Sequence, residues 1–261
     1  MSETRIWYQS FVDPVEQANY IQQLQQALNR FADPGFEFVV QGLSPPDTGL
    51  HALTEFRCAA QTIKNALKAQ EEEYDAFVIG HFQEPGLSEI KACLSIPVIG
   101  LGEANMLMAC NYGEKIGLIT INPIFIPWHE KQIRTMGLSQ RVVSVRAVNF
   151  QVDEFDAAFA DEAIYQRIKD QFVDEMRSLA DSQVEVVIPA GGLPMLLLAR
   201  EQSLVIDEMV VLNGIALVAK YTEMMLKLHR LTGLGVSRKA QFKSPSAEVL
   251  EEFSGLWAPA Y

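Results

Sequence analysis

Cysteine is scarce in this chain and unpatterned: Cys58, Cys93 and Cys110 form no Cys-x-x-Cys pair. That excludes a disulfide framework and a thiolate metal cage. Each of the three falls in a helical stretch, where the expected role is that of a small buried hydrophobe. Positive charge is also in short supply. Against 33 Asp and Glu stand 21 Lys and Arg, a formal charge of −12, and no basic cluster interrupts the acidity. Such a surface repels a phosphate backbone, so no nucleic-acid partner is expected. Long apolar runs are missing too: none approaches the ~20 residues of a membrane span. Met1-Ser2-Glu3-Thr4-Arg5 leads into Ile6-Trp7-Tyr8 rather than into a signal core. The expectation is a soluble, cytoplasmic protein with no membrane partner.

What the chain does have is alternation. Strand-like runs at 4–9, 36–41, 74–80, 96–100, 115–121, 141–148 and 184–189 are separated by helical periodicity at 14–31, 51–71, 86–94, 103–112, 125–136 and 161–182. This pattern predicts an α/β fold with a mainly parallel sheet and crossover helices. The runs near 78 and 186 are continuously apolar, as strands covered on both faces must be. A further helix is expected over 213–231, with Ile215, Leu217, Val218, Tyr221, Met224, Met225 and Leu228 as a wide core-facing surface. Residues 232–261 read as an irregular tail anchored by Phe253 and Trp257, and Glu71-Glu72-Glu73 as a solvated helix end.

The residue that carries most chemistry is His81. In Val78-Ile79-Gly80-His81-Phe82-Gln83-Glu84-Pro85-Gly86-Leu87 an apolar strand runs into a turn and then a helix. An ionisable group so placed stands at the carboxyl edge of a sheet, where open α/β folds bind ligands. Imidazole titrates near neutrality and suits proton transfer or polarisation of water; a turn-capping histidine is the plainer alternative. The segment Val186-Val187-Ile188-Pro189-Ala190-Gly191-Gly192 has a similar strand-turn form about a hundred residues on. Its glycines let the backbone approach a ligand and aim N–H groups at an oxyanion, or simply make a tight turn. Thr120 and Asn122 follow the Gly117-Leu118-Ile119 strand and can cap a helix or bind an anion. Gln9 and Ser10 end the first strand, with Phe11 placed to narrow a pocket. Glu84 and Glu103, at helix starts, are read as dipole partners supporting the site from behind. His81 with Glu84 and Glu103 has no metal-ligand spacing, so no metal is expected. His51, His129 and His229 fall in helical stretches and read as surface or packing residues.

Several of these segments, in order, resemble the aspartate/glutamate/hydantoin racemase superfamily, in its hydantoin-racemase-like branch. They are Asp75 to Leu87, Pro97-Val98-Ile99-Gly100-Leu101-Gly102-Glu103-Ala104, Gly117-Leu118-Ile119-Thr120, Val143-Ser144-Val145-Arg146-Ala147-Val148 and Leu212-Asn213-Gly214-Ile215. The resemblance implies two pseudo-symmetric α/β lobes with the site in the cleft between them. The first lobe would comprise 1–100 completed by 212–261, and the second 101–211. It also implies a cofactor-independent isomerase, a homo-oligomer, and a small-molecule substrate: a carboxylate, an amino-acid derivative or a cyclic ureide. On this pattern the substrate contacts fall to Gln9, Ser10, Thr120, Asn122, Ala190, Gly191 and Gly192, with Glu84, Glu103 and Asn213 in support.

In that superfamily a cysteine from each lobe flanks the acidic carbon. Here the first position holds His81 and the second Ala190, which has no proton to exchange. The two-cysteine route is therefore absent. The residues point to His-assisted proton transfer, with two rivals: a hydrolase, lyase or decarboxylase of the same fold using one acid or base, and a binding protein that keeps the cleft without chemistry. A site with a titratable group on one face only is expected to interconvert enantiomers little or not at all.

Overall fold

The computed structural model describes residues 4–47, 50–179, 182–201 and 203–256. Its fold is α/β, built on two sheets. The first contains β1 (Thr4–Gln9), β2 (Phe36–Gln41), β3 (Ala76–Ile79) and β4 (Val98–Gly100), all parallel, in the order β2-β1-β3-β4. The second contains β5 (Ile116–Thr120), β6 (Val142–Ala147), β7 (Val186–Ala190), β8 (Leu204–Ile206) and β9 (Met209–Val211), in the order β6-β5-β7-β9-β8. Only β8 runs antiparallel, on β9. Central β3, β5 and β7 are buried at every residue, whereas β2 and β6, at the edges, are half-exposed. Hence the apolar runs near 78 and 186 are continuous: helices cover both faces.

The crossover helices are α1 (Ala18–Phe31), α2 (Ala52–Glu71), α3 (Leu87–Cys93), α4 (Leu101–Ala109), α5 (Ile126–Thr135), α6 (Val152–Ala160), α7 (Glu162–Arg177) and α8 (Gly192–Leu198). After the β8–β9 hairpin come α9 (Gly214–Thr232) and α10 (Ala247–Gly255). Each long helix buries one stripe, such as Tyr20, Leu24, Ala27 and Leu28 on α1.

Three elements depart from the sequence reading. Residues 247–255 form α10, not an irregular stretch, started by Ser246, whose hydroxyl accepts from the Val249 N–H. Phe253 packs on the core of the first sheet as expected; Trp257 lies outside the described residues. Helix α6 was unforeseen, though Gln151 and Glu154 form a reciprocal cap at its start. The β8–β9 hairpin turns on Asp207 and Glu208, both at positive φ (47° and 68°). A two-residue hairpin turn needs that geometry, but its usual sequence sign is Asn-Gly or Asp-Gly.

Pro189 sits inside β7 without cost. Strand β9 pairs only with Val186 and Val187, so no partner on that side awaits the N–H that proline lacks. On the β9 side the pairing thus ends before Pro189, while Ala190 still pairs with Thr120 of β5 and the chain leaves the sheet at Gly191 and Gly192. No described helix is long and apolar enough to cross a membrane.

Candidate active site

The carboxyl ends of the parallel strands in both sheets converge on a cavity of about 120 Å³. Its wall takes Ser10 and Phe11 from beyond β1, Asp47 from the β2–α2 loop, Gly80 and His81 from beyond β3, Asn122 from beyond β5, and Ala190, Gly191 and Gly192 from the end of β7. The two similar strand-turn units thus face one space. The turn holding Gly191 is open to glycine alone: φ 153° and ψ 150° lie in a region that side chains forbid. A Cβ on Gly192 would stand 2.9 Å from the Tyr20 hydroxyl and 3.2 Å from the Gly80 carbonyl oxygen. The turns approach backbone to backbone.

His81 is held on both sides. Its ring stacks on Phe11, with centroids 4.6 Å apart and planes at 21°. Its Nε2 lies 3.0 Å from Glu55 Oε1, and the two side chains are only 18% and 14% exposed. Glu55 comes from the first turn of α2, where the helix dipole favours a carboxylate. Burial by itself would depress the His81 pKa, but the Glu55 carboxylate, with Asp47 and Glu84 farther off, raises it above the ordinary value of 6.5. Burial likewise opposes the ionisation of Glu55, and the imidazole beside it prevails, holding that carboxyl below its usual range. Asp47 completes the group. Burial and the proximity of Glu55 push its pKa up.

Donor atoms of Asp47, Glu55 and His81 lie within 4.8 Å of one another, the one set among the described residues that could hold a metal ion. The His81–Glu55 hydrogen bond already engages two of them. The carboxylates beside His81 are thus not the pair considered from the sequence. Glu84, buried and at positive φ (56°), turns away: Oε1 accepts from the Glu103 N–H at 2.6 Å and Oε2 from Gln132 Nε2 at 2.8 Å. It caps α4 from a distant turn, and burial with the nearby Glu103 pushes its pKa up to about 8. Glu103 pairs with Lys91 at 2.5 Å.

The remaining expected residues divide. Ser10, Asn122, Ala190, Gly191 and Gly192 line the cavity; Gln9, Thr120 and Asn213 do not. Gln9 is spent on structure: Oε1 accepts from Trp7 and Asn65, and Nε2 donates to the carbonyls of Ser10, Gln41 and Gly42. Thr120 is fully buried with its hydroxyl unpartnered. Asn213 caps α9 by accepting from the Ala216 N–H, and Asn122 Oδ1 accepts from the Ile124 N–H. His51 and His229 are surface residues. His129 is a packing residue, edge-on to Phe82, and burial holds its pKa down at about 4.

The geometry now has company among known proteins. A family model described as Asp/Glu/hydantoin racemase matches residues 16–222. The chain belongs to this family. Membership places it among racemase-like enzymes. Hydantoin racemase from Pseudomonas sp. (strain NS671) is 24% identical over 201 residues, 76% of this chain and 77% of that one. Among solved structures, allantoin racemase from Klebsiella pneumoniae superposes with a TM-score of 0.74 at 22% identity, covering 94% of each chain. Allantoin racemase from Pseudomonas fluorescens gives 0.71 at 22% identity, covering 92% of this chain and 97% of that one. At such identities these likenesses carry the family's two-lobed fold, and the site residues must speak for the chemistry.

Glu55 and Asp47 carry no sequence signal. Glu55 lies 26 residues before His81, one of 33 acidic residues, and only the packing of α2 brings it to the turn. Phe11, expected from its place after β1 to narrow a pocket, stacks on the imidazole of His81.

Proposed function

We propose that this protein transfers protons at the acidic ring carbon of a small neutral cyclic ureide, hydantoin-like or allantoin-like, with His81 as the acid–base group. The observation that carries the reading is the His81–Glu55 pair on the cavity wall, 3.0 Å apart. With Nε2–H donated to Glu55, the basic lone pair falls on Nδ1. Neutral His81 removes the proton, and the electron pair of the C–H bond remains in the ring as an enolate. The imidazolium so formed is neutralised by Glu55.

Charge selects the substrate. No lysine or arginine is among the residues lining the cavity, and Asp47 is, so a dicarboxylate finds no counter-ion there. A neutral ring with carbonyl and N–H groups suits the Ser10, Gln17, Asn122 and Gln151 side chains and the open backbone at Gly191 and Gly192. A one-sided reaction, a lyase or hydrolase, is the second reading, favoured by the methyl group of Ala190.

The test is proton exchange. Single enantiomers of 5-monosubstituted hydantoins and of allantoin, incubated with the protein in heavy water, are expected to lose the ring C–H signal in NMR spectra. Unchanged signals for every compound would overturn the proposal. Activity is also expected to survive iodoacetamide. Burial, with Asp47 and Glu55 near, pushes the Cys58 thiol up to about 12, and Cys93 is raised by burial as well. None of the three cysteines lines the cavity. Inactivation that substrate prevents would place a thiol in the site after all.

A further inference from the structure

Inverting a stereocentre through a planar carbanion needs proton carriers on both faces, and Ala190 offers none. The cavity wall holds another titratable group that reaches the same turn. Tyr20, on the buried stripe of α1, lines the cavity together with His81, Gly191 and Gly192. Its hydroxyl lies 2.9 Å from the point where a Cβ on Gly192 would stand, two residues from Ala190. Tyr20 is 2% exposed, and its ring leans on Phe159 with centroids 5.8 Å apart, so the phenol is fixed in place. The missing Cβ of Gly192 makes room for the oxygen.

We propose that the Tyr20 hydroxyl is the second proton carrier of this site, taking the place of the side chain that Ala190 lacks and acting on the substrate face opposite His81. The inference rests on the proton-transfer reading above. In one direction His81 takes the ring proton and the C–H electrons stay on the substrate. The Tyr20 O–H bond then breaks, its proton bonds to the ring carbon on the other face, and tyrosinate and imidazolium remain, with no net change in charge. In the other direction tyrosinate is the base and imidazolium the acid. Burial raises the phenol above its ordinary range, with the Ser10 side chain as a hydrogen-bonding neighbour that eases its ionisation. The resting form is therefore the neutral phenol, ready as an acid.

Tyr20→Phe removes the oxygen and keeps the ring. Racemisation, followed by optical rotation, is expected to fall by about a hundredfold or more, the usual scale for losing a positioned acid. Deuterium uptake from heavy water is expected to continue on one enantiomer only, with configuration retained, because His81 still exchanges its own face. A purely structural role for Tyr20 would instead lower both readouts together. Racemisation within a few-fold of the parent in Tyr20→Phe would overturn the assignment, as would a parent protein that exchanges without racemising. Complete lack of exchange in the parent is a different result, one that removes the proton-transfer reading itself. Should Tyr20→Phe fail to fold, Tyr20→3-fluorotyrosine provides the test: a more acidic phenol moves one limb of the racemisation pH profile to lower pH, and an unmoved profile rejects Tyr20.

Discussion

His81→Asn is expected to lower turnover by about a hundredfold or more, about 2.7 kcal/mol of transition-state stabilisation. The fold should survive, because His81 sits in a turn beyond β3, where its ring stacks on Phe11 and hydrogen-bonds to Glu55 rather than filling the apolar core. Thermal melting beside kinetics separates the outcomes: a collapsed melting temperature with proportionate loss of activity would make His81 a structural residue. The pH profile gives a finer reading. Proton abstraction requires the neutral imidazole, and Glu55 raises the His81 pKa, so the rate should climb with pH through a midpoint above 6.5. Glu55→Gln removes the charge, and that midpoint should move down. The stability of the pair follows the same sign. It is present while Glu55 is ionised and His81 protonated, is lost in acid as Glu55 protonates below its usual range, and is lost in alkali as pH rises through the raised His81 value.

Gly80→Ala should damage both stability and activity. The added Cβ would stand 2.1 Å from Tyr8 Cε1, 2.6 Å from Cζ and 2.9 Å from the Gln9 carbonyl oxygen. Tyr8 is wholly buried in the main core and cannot swing aside, so the backbone must move. Overpacking of this kind costs roughly 1–3 kcal/mol and at times more, with an expected fall in melting temperature of several degrees for a chain of this size. Because Gly80 precedes His81, the same shift displaces the imidazole, and activity should fall further than stability accounts for. A variant melting within a degree of the parent would show that the strand end yields. Tyr8→Leu in the same chain should restore part of the stability, since the clash is with the ring.

Much of this protein is determined by local pattern. Continuous apolar runs at 76–79 and 186–190 require strands covered on both faces, and the helical stripes between them require crossovers. A parallel sheet built that way puts its strand ends on one side, so order and spacing place His81 and the 190–192 turn at strand ends, while reading them as site positions drew on the family resemblance as well. The pattern was silent where a signal depends on backbone geometry without its usual residues, as in the Asp207-Glu208 hairpin turn. What the sequence could not decide is which side chains meet His81. Glu55 and Asp47 are ordinary acidic residues of a helix and a loop, Tyr20 fits the apolar stripe of α1, and Glu84 sits three residues from His81 yet points elsewhere. Proton-transfer chemistry depends on contacts within ~3 Å, and these come from helices packed across the sheets, where distance along the chain carries no information.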